Sequence, residues 1–79
     1  MPYVSNPMRK LLDTGSAPIN PGELNYLITK LILKYLGSNP GYTEINEVIG
    51  VLECAKLELY RRIAAPYEDE KCRVNGDVY

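Results

Sequence analysis

The sequence predicts a mostly α fold: an antiparallel helical hairpin with a short N-terminal helix and a small C-terminal β-ribbon or ordered tail, assembled as a homo-oligomer. Three observations carry that expectation. Residues 42–66, YTEINEVIGVLECAKLELYRRIAAP, hold one helical pattern in which Ile45, Val48, Ile49, Leu52, Ala55, Leu59 and Ile63 recur at spacings of three and four. A second such pattern, Leu24, Leu27, Ile28, Leu31 and Tyr35, precedes it across the short connection Gly37-Ser38-Asn39-Pro40-Gly41. A connection this short sets consecutive helices antiparallel. A chain of 79 residues buries only about 60–65% of its unfolded surface, so association with copies of itself is the simplest source of added stability.

From the N-terminus, the first residues, Tyr3 among them, are expected to be extended. Asn6 before Pro7 has the form of a cap followed by proline in the first turn, which predicts a helix over about 7–13 with Met8, Leu11 and Leu12 facing inward. Residues 14–18, TGSAP, are a loop by composition. The second helix repeats the device: Asn20 caps, Pro21 takes the first turn, and Glu23 stands where a capping-box glutamate belongs. Its apolar stripe faces inward with Ile32 beside it and Leu36 near its end, Glu23, Lys30 and Lys34 are expected on the solvent side, and Gly37 is suited to a left-handed C-cap.

The main helix is expected to start at a Thr43 cap, with Glu44 and Glu47 near its positive end and Arg61 and Arg62 near its negative end. Pro66 is expected to stop it, because the residue before a proline is pushed out of helical geometry. Val51, Cys54 and Leu57 fall off the stripe and call for a second neighbour, either the terminal segments of the same chain or another subunit. Asn75-Gly76, between Arg73-Val74 and Asp77-Val78, is a two-residue hairpin signal. The chain then divides into an N-terminal arm and short helix over 1–19, a hairpin over 20–66 and a tail over 67–79, all within one domain.

Composition narrows the function classes. Nine basic and ten acidic residues are interspersed, for a net charge of −1, which argues against a long nucleic acid as partner and leaves small anions open. No apolar run reaches the length of a membrane span, so a soluble protein is expected. Cys54 and Cys72 lack CxxC spacing and a secretory leader ahead of them, and are read as reduced cytoplasmic thiols. There is no histidine, the commonest general base and metal ligand near neutral pH. Glu44-x-x-Glu47 matches half of the paired carboxylate motif of helical Mg²⁺ pyrophosphohydrolases. No ExxD follows, so helix-dipole compensation explains the pair better, and no cofactor or metal is expected.

Tyrosine is the only aromatic, seven times, a residue suited to surfaces both packed and wet as well as to ordinary boundary packing. The richest cluster is Tyr60-Arg61-Arg62 with Tyr67 and Lys71. Planar guanidinium groups suit phosphate, and tyrosine faces suit base stacking. Asn75 and Asp77 add hydrogen-bonding groups for a ribose or base. The competing structural role is an ion-paired turn in which Glu68, Asp69 and Glu70 take the arginines.

The patterns GELNYLITKLILKYL and INEVIGVLECAKLELYRRIAAPYEDEKCRVNGDVY resemble a family of small uncharacterised proteins carried by phages and prophages, over nearly all of the chain from Pro21 onward. That resemblance implies a viral accessory protein in the cytoplasm of a bacterial host. By analogy of size, helical content and self-association, the chain is also similar to phage sponges that sequester the nucleotide signals of CBASS and Thoeris immunity, although their sequence motifs are absent. The functional expectation is therefore a non-enzymatic protein that binds a small nucleotide-type signal between subunits through Tyr60, Arg61, Arg62, Tyr67, Lys71, Asn75 and Asp77. The alternatives are an adaptor that grips a host protein and a small Mg²⁺-dependent nucleotide hydrolase.

Overall fold

A computed structural model describes residues 4–79; the extended start expected around Tyr3 lies outside the described residues. The chain is mostly helical, and no strand occurs among the described residues. In order come α1 (Asn6–Asp13), α2 (Pro21–Leu36), α3 (Tyr42–Leu59), a π-helical turn (Tyr60–Ala64) and α4 (Ala65–Asn75). They form two compact units, Met1–Gly41 and Tyr42–Tyr79. The boundary falls in the connection where the hairpin was expected to turn, and each unit is described by itself.

In the first unit, α1 is capped one residue earlier than expected. Ser5 Oγ accepts a long 3.4 Å bond from the Met8 N–H, and Asn6 is already helical, with Pro7 in the first turn. α2 starts as expected. Asn20 Oδ1 accepts from the Glu23 N–H at 2.8 Å, and Glu23 reaches back, its Oε2 accepting from Asn20 Nδ2 at 3.0 Å and its Oε1 from the Ile19 N–H at 3.2 Å. Two otherwise orphaned backbone donors are thereby satisfied. That reach folds Glu23 inward, to 5% exposure, where the solvent side had been expected. Gly37 closes the helix with φ +74° and its N–H on the Leu33 carbonyl.

The core of this unit is small. Leu12 at 3% and Tyr26 at 7% exposure are its buried apolar residues. The Tyr26 hydroxyl donates to Asp13 Oδ1 at 3.0 Å, and the Arg9 guanidinium lies 5.9 Å from the ring centroid. Burial, then the hydrogen bond to Asp13, raises the Tyr26 hydroxyl above its ordinary pKa. The inward stripe expected for α2 is mostly exposed: Leu24, Ile28, Leu31 and Tyr35 are all open, while Leu27, Ile32 and Leu36 are half-buried. A two-turn helix such as α1 is too short to cover a four-turn one, so only the face beside it is buried.

In the second unit the expected stop at Pro66 and the β-ribbon after it are both replaced by helix. Proline lacks an N–H, and its ring collides with the carbonyl four residues back, here that of Arg62. The turn just before it widens instead: the Ala65 N–H bonds to the Tyr60 carbonyl, five residues back, a π-bulge register that moves the carbonyls the proline would meet. Proline then occupies the first turn of α4, where a missing N–H costs little. The Asn75-Gly76 signal was real but served another end. Gly76, at φ +85°, is the C-cap of α4 and donates to the Cys72 carbonyl at 2.8 Å. Asn75 keeps negative φ, which rules out the turn with positive φ at both positions that a tight ribbon needs. The helix also begins at Tyr42, which puts Thr43 inside its first turn instead of at the cap.

Candidate functional site

All seven candidate residues belong to the second unit, from the π turn to the tail. The π turn supplies Tyr60, Arg61 and Arg62; α4 supplies Tyr67, Lys71 and Asn75, its last residue; Asp77 follows the Gly76 cap. They form neighbouring groups rather than one enclosed pocket.

The first group is built on Glu58. Arg61 Nη2 donates to Glu58 Oε2 at 2.7 Å, and Arg62 Nε donates to Glu58 Oε1, so both guanidinium groups share one carboxylate. These bonds, Arg61 first and Arg62 second, hold the Glu58 carboxyl below its ordinary pKa. The acidic run that was the alternative partner for the arginines is engaged elsewhere. Glu68 accepts from the Tyr60 hydroxyl at 3.0 Å, which raises that hydroxyl's pKa, and Glu70 accepts from Arg73 Nε at 3.0 Å. The reason is spacing: Glu58 precedes the arginines by three and four residues on the same helix, the separation at which side chains meet.

The second group is Tyr67 with Lys71, whose ammonium stands 5.5 Å from the ring centroid. Asp77 turns back on the tail, its Oδ1 accepting from the Tyr79 N–H at 2.9 Å. Tyr60, Tyr67 and Ile63 are each more than half exposed, and no residue of α3, the π turn or α4 is buried. Chemically this stretch offers exposed tyrosine rings, that of Tyr60 tied through its hydroxyl to Glu68, and two cations that share a single anion.

Two features lay beyond the sequence reading. One is the π turn under Tyr60–Ala64, for which Pro66 in a helical pattern was the only signal. The other is a cleft in the first unit lined by Val4, Ser5, Met8, Asn20 and Glu23; none of the seven candidates lines it. Both oxygens of its buried carboxylate are engaged by Ile19 and Asn20. Among the described residues, no three acidic or cysteine side chains group as a metal site, and no helix is long and apolar enough to cross a membrane. Cys54 and Cys72 are free and exposed.

Over residues 1–78 the chain matches the family described as a domain of unknown function (DUF6899), and it belongs to that family. No curated protein and no solved structure matches it.

Proposed function

We propose that this member of the DUF6899 family is a non-enzymatic binding protein that works as a homo-oligomer. In this reading it sequesters a small nucleotide-type signal in the cytoplasm of a bacterial host, as a phage accessory protein. The observation that carries the proposal is the convergence of Arg61 and Arg62 on the single carboxylate of Glu58, next in sequence to Tyr60, whose ring is exposed. Two guanidinium groups against one carboxylate leave a local surplus of positive charge for a phosphate, and Tyr60 and Tyr67 supply faces for a base. Lys71 adds a cation at the second ring, while Asn75 and Asp77, about 20 Å farther along the helix axis, would meet the ribose of a ligand held by the arginines of a different subunit. Removal of the signal by binding takes the place of turnover.

A second reading, an adaptor that grips a host protein, is favoured by the apolar side chains exposed along the same helix, Val51, Leu57, Leu59 and Ile63 among them. Thermal-shift measurements with mononucleotides and cyclic dinucleotides, with and without Mg²⁺, separate the readings. Metal-independent stabilisation that disappears in Arg61→Ala/Arg62→Ala supports the sponge. Stabilisation unchanged in that variant refutes the site, Mg²⁺-dependent turnover points to a hydrolase, and no response favours the adaptor.

A further inference from the structure

We infer that α3 of one chain pairs antiparallel with α3 of a second copy, about a two-fold axis midway between residues 53 and 54. The inference rests on the homo-oligomer part of the reading above and not on its ligand.

The seam is Ile45, Val48, Leu52, Ala55 and Leu59, spaced three, four, three and four, the repeat by which two helices interlock along their length. It lies wholly within the regular α segment, since the π turn begins at Tyr60. Within the second unit none of these residues is buried: Ile45 is 40%, Leu52 41% and Leu59 59% exposed, and Val48 is half-buried.

Charge and volume select the direction. Residues 42–54 carry Glu44, Glu47 and Glu53 and no lysine or arginine, whereas residues 55–62 carry Lys56, Arg61 and Arg62 against Glu58 alone. Glu44, Val51 and Glu58 recur every seven residues and so flank the seam on one side. Arg61 and Arg62 are drawn to that same side by their bonds to Glu58. In an antiparallel pair related by a two-fold axis, each flank faces its own equivalent. The acidic start of one helix therefore meets the arginines of the second copy, twice over.

At this register Val48 faces Leu59 of the second copy, Leu52 faces Ala55, large against small, and Ile45 faces Arg62 at the edge of the seam. A parallel pair would stack Ala55 on Ala55 and leave a gap, with no opposite charges across the flanks. A slip of one heptad would set Leu59 against Gly41 and carry Arg61 and Arg62 past the acidic start, opposite residues 39 and 38. The same geometry places an anionic ligand and the second copy's glutamates in competition for one pair of guanidinium groups.

The test uses the full chain carrying Cys54→Ser and Cys72→Ser, with Val48→Cys in one preparation and Leu59→Cys in another, under mild oxidation. The mixture is expected to form a crosslinked dimer and neither preparation alone to do so, because like positions lie about 16 Å apart along the axis and a disulfide tolerates Cα separations only up to about 7 Å. Self-crosslinking of either preparation alone overturns the direction while leaving a homo-oligomer standing. No crosslink in the mixture, together with a single-chain mass, overturns self-association as well. Independently, Glu44→Lys/Glu47→Lys is expected to weaken dimerisation about tenfold, and adding Arg61→Glu/Arg62→Glu to restore it. A chain that folds its own α2 onto the seam stays monomeric in every variant, which also refutes the pairing.

Discussion

Glu23→Ala is the most informative perturbation of the first unit, because one buried carboxylate holds the start of α2 together. Its Oε1 accepts from the Ile19 N–H and its Oε2 from Asn20 Nδ2, while its own N–H donates to Asn20 Oδ1. The substitution removes the first two bonds and keeps the third. Hydrogen bonds to a charged acceptor are each worth about 1.5–3 kcal/mol when buried, and loss of a helix cap costs about 1 kcal/mol. Because the Asn20 amide can turn to water once released, the lower end applies, and a loss of about 2 kcal/mol is expected. Hydrogen exchange is the suitable assay, since it reads one unit without requiring the whole chain to unfold together. Protection of the α2 amides over residues 24–30 should fall about thirtyfold, at 1.4 kcal/mol per factor of ten. Asn20→Ala should cost about 1 kcal/mol, and the double variant less than the sum of the two, since the bond from Asn20 Nδ2 to Glu23 Oε2 is lost in either single variant. A change in protection below about twofold for Glu23→Ala would refute this account of the carboxylate.

Leu12→Ala should destabilise the first unit by about 2–3 kcal/mol, read by the same exchange measurement, because it empties one of the two buried apolar positions among the described residues. Pro66→Ala restores a backbone N–H and removes the ring that opposes the Arg62 carbonyl, so the π turn should relax to α-helix. Cα chemical shifts over residues 60–66 and helicity that holds or rises would bear this out, and a drop in helicity would contradict it. For pH, the folded-state pKa values of Glu58 and Glu70 are lowered, chiefly by Arg61 and Arg73 respectively. Their contribution is therefore present above the ordinary carboxylate range and lost as pH falls through the lowered values, so helicity should decline on acidification. Tyr60 is raised by its bond to Glu68; its contribution should be lost only as pH rises past the ordinary phenol range, which tyrosinate absorbance against helicity will follow. Helicity indifferent to both titrations would contradict these assignments.

Local chemistry was the legible part of the sequence. The Asn20, Pro21 and Glu23 device, the Gly37 cap and the short first helix are decided within a few residues, and the structure has them where composition and spacing put them. The errors arose where one signal serves two geometries. Gly76 supplies positive φ for a turn or for a helix cap, and the choice depended on whether a helix reached it. That depended on Pro66, which ends a helix unless the preceding turn widens. The competing partner considered for the arginines was the acidic run that follows them in sequence, yet Glu58 lies at the better helical spacing. Glu23 read as solvent-facing because a charge on a helix usually is; its cap bonds turned it inward.

Sedimentation equilibrium of the unliganded chain over a wide concentration range tests the central claim most directly, that the helix from Tyr42 to Asn75, which has no buried residue, is an assembly surface. The account predicts a mass rising from 8.9 kDa to twice that value as concentration increases, with Leu52→Glu holding it at the lower figure. A mass fixed at that of one chain at every concentration would contradict it.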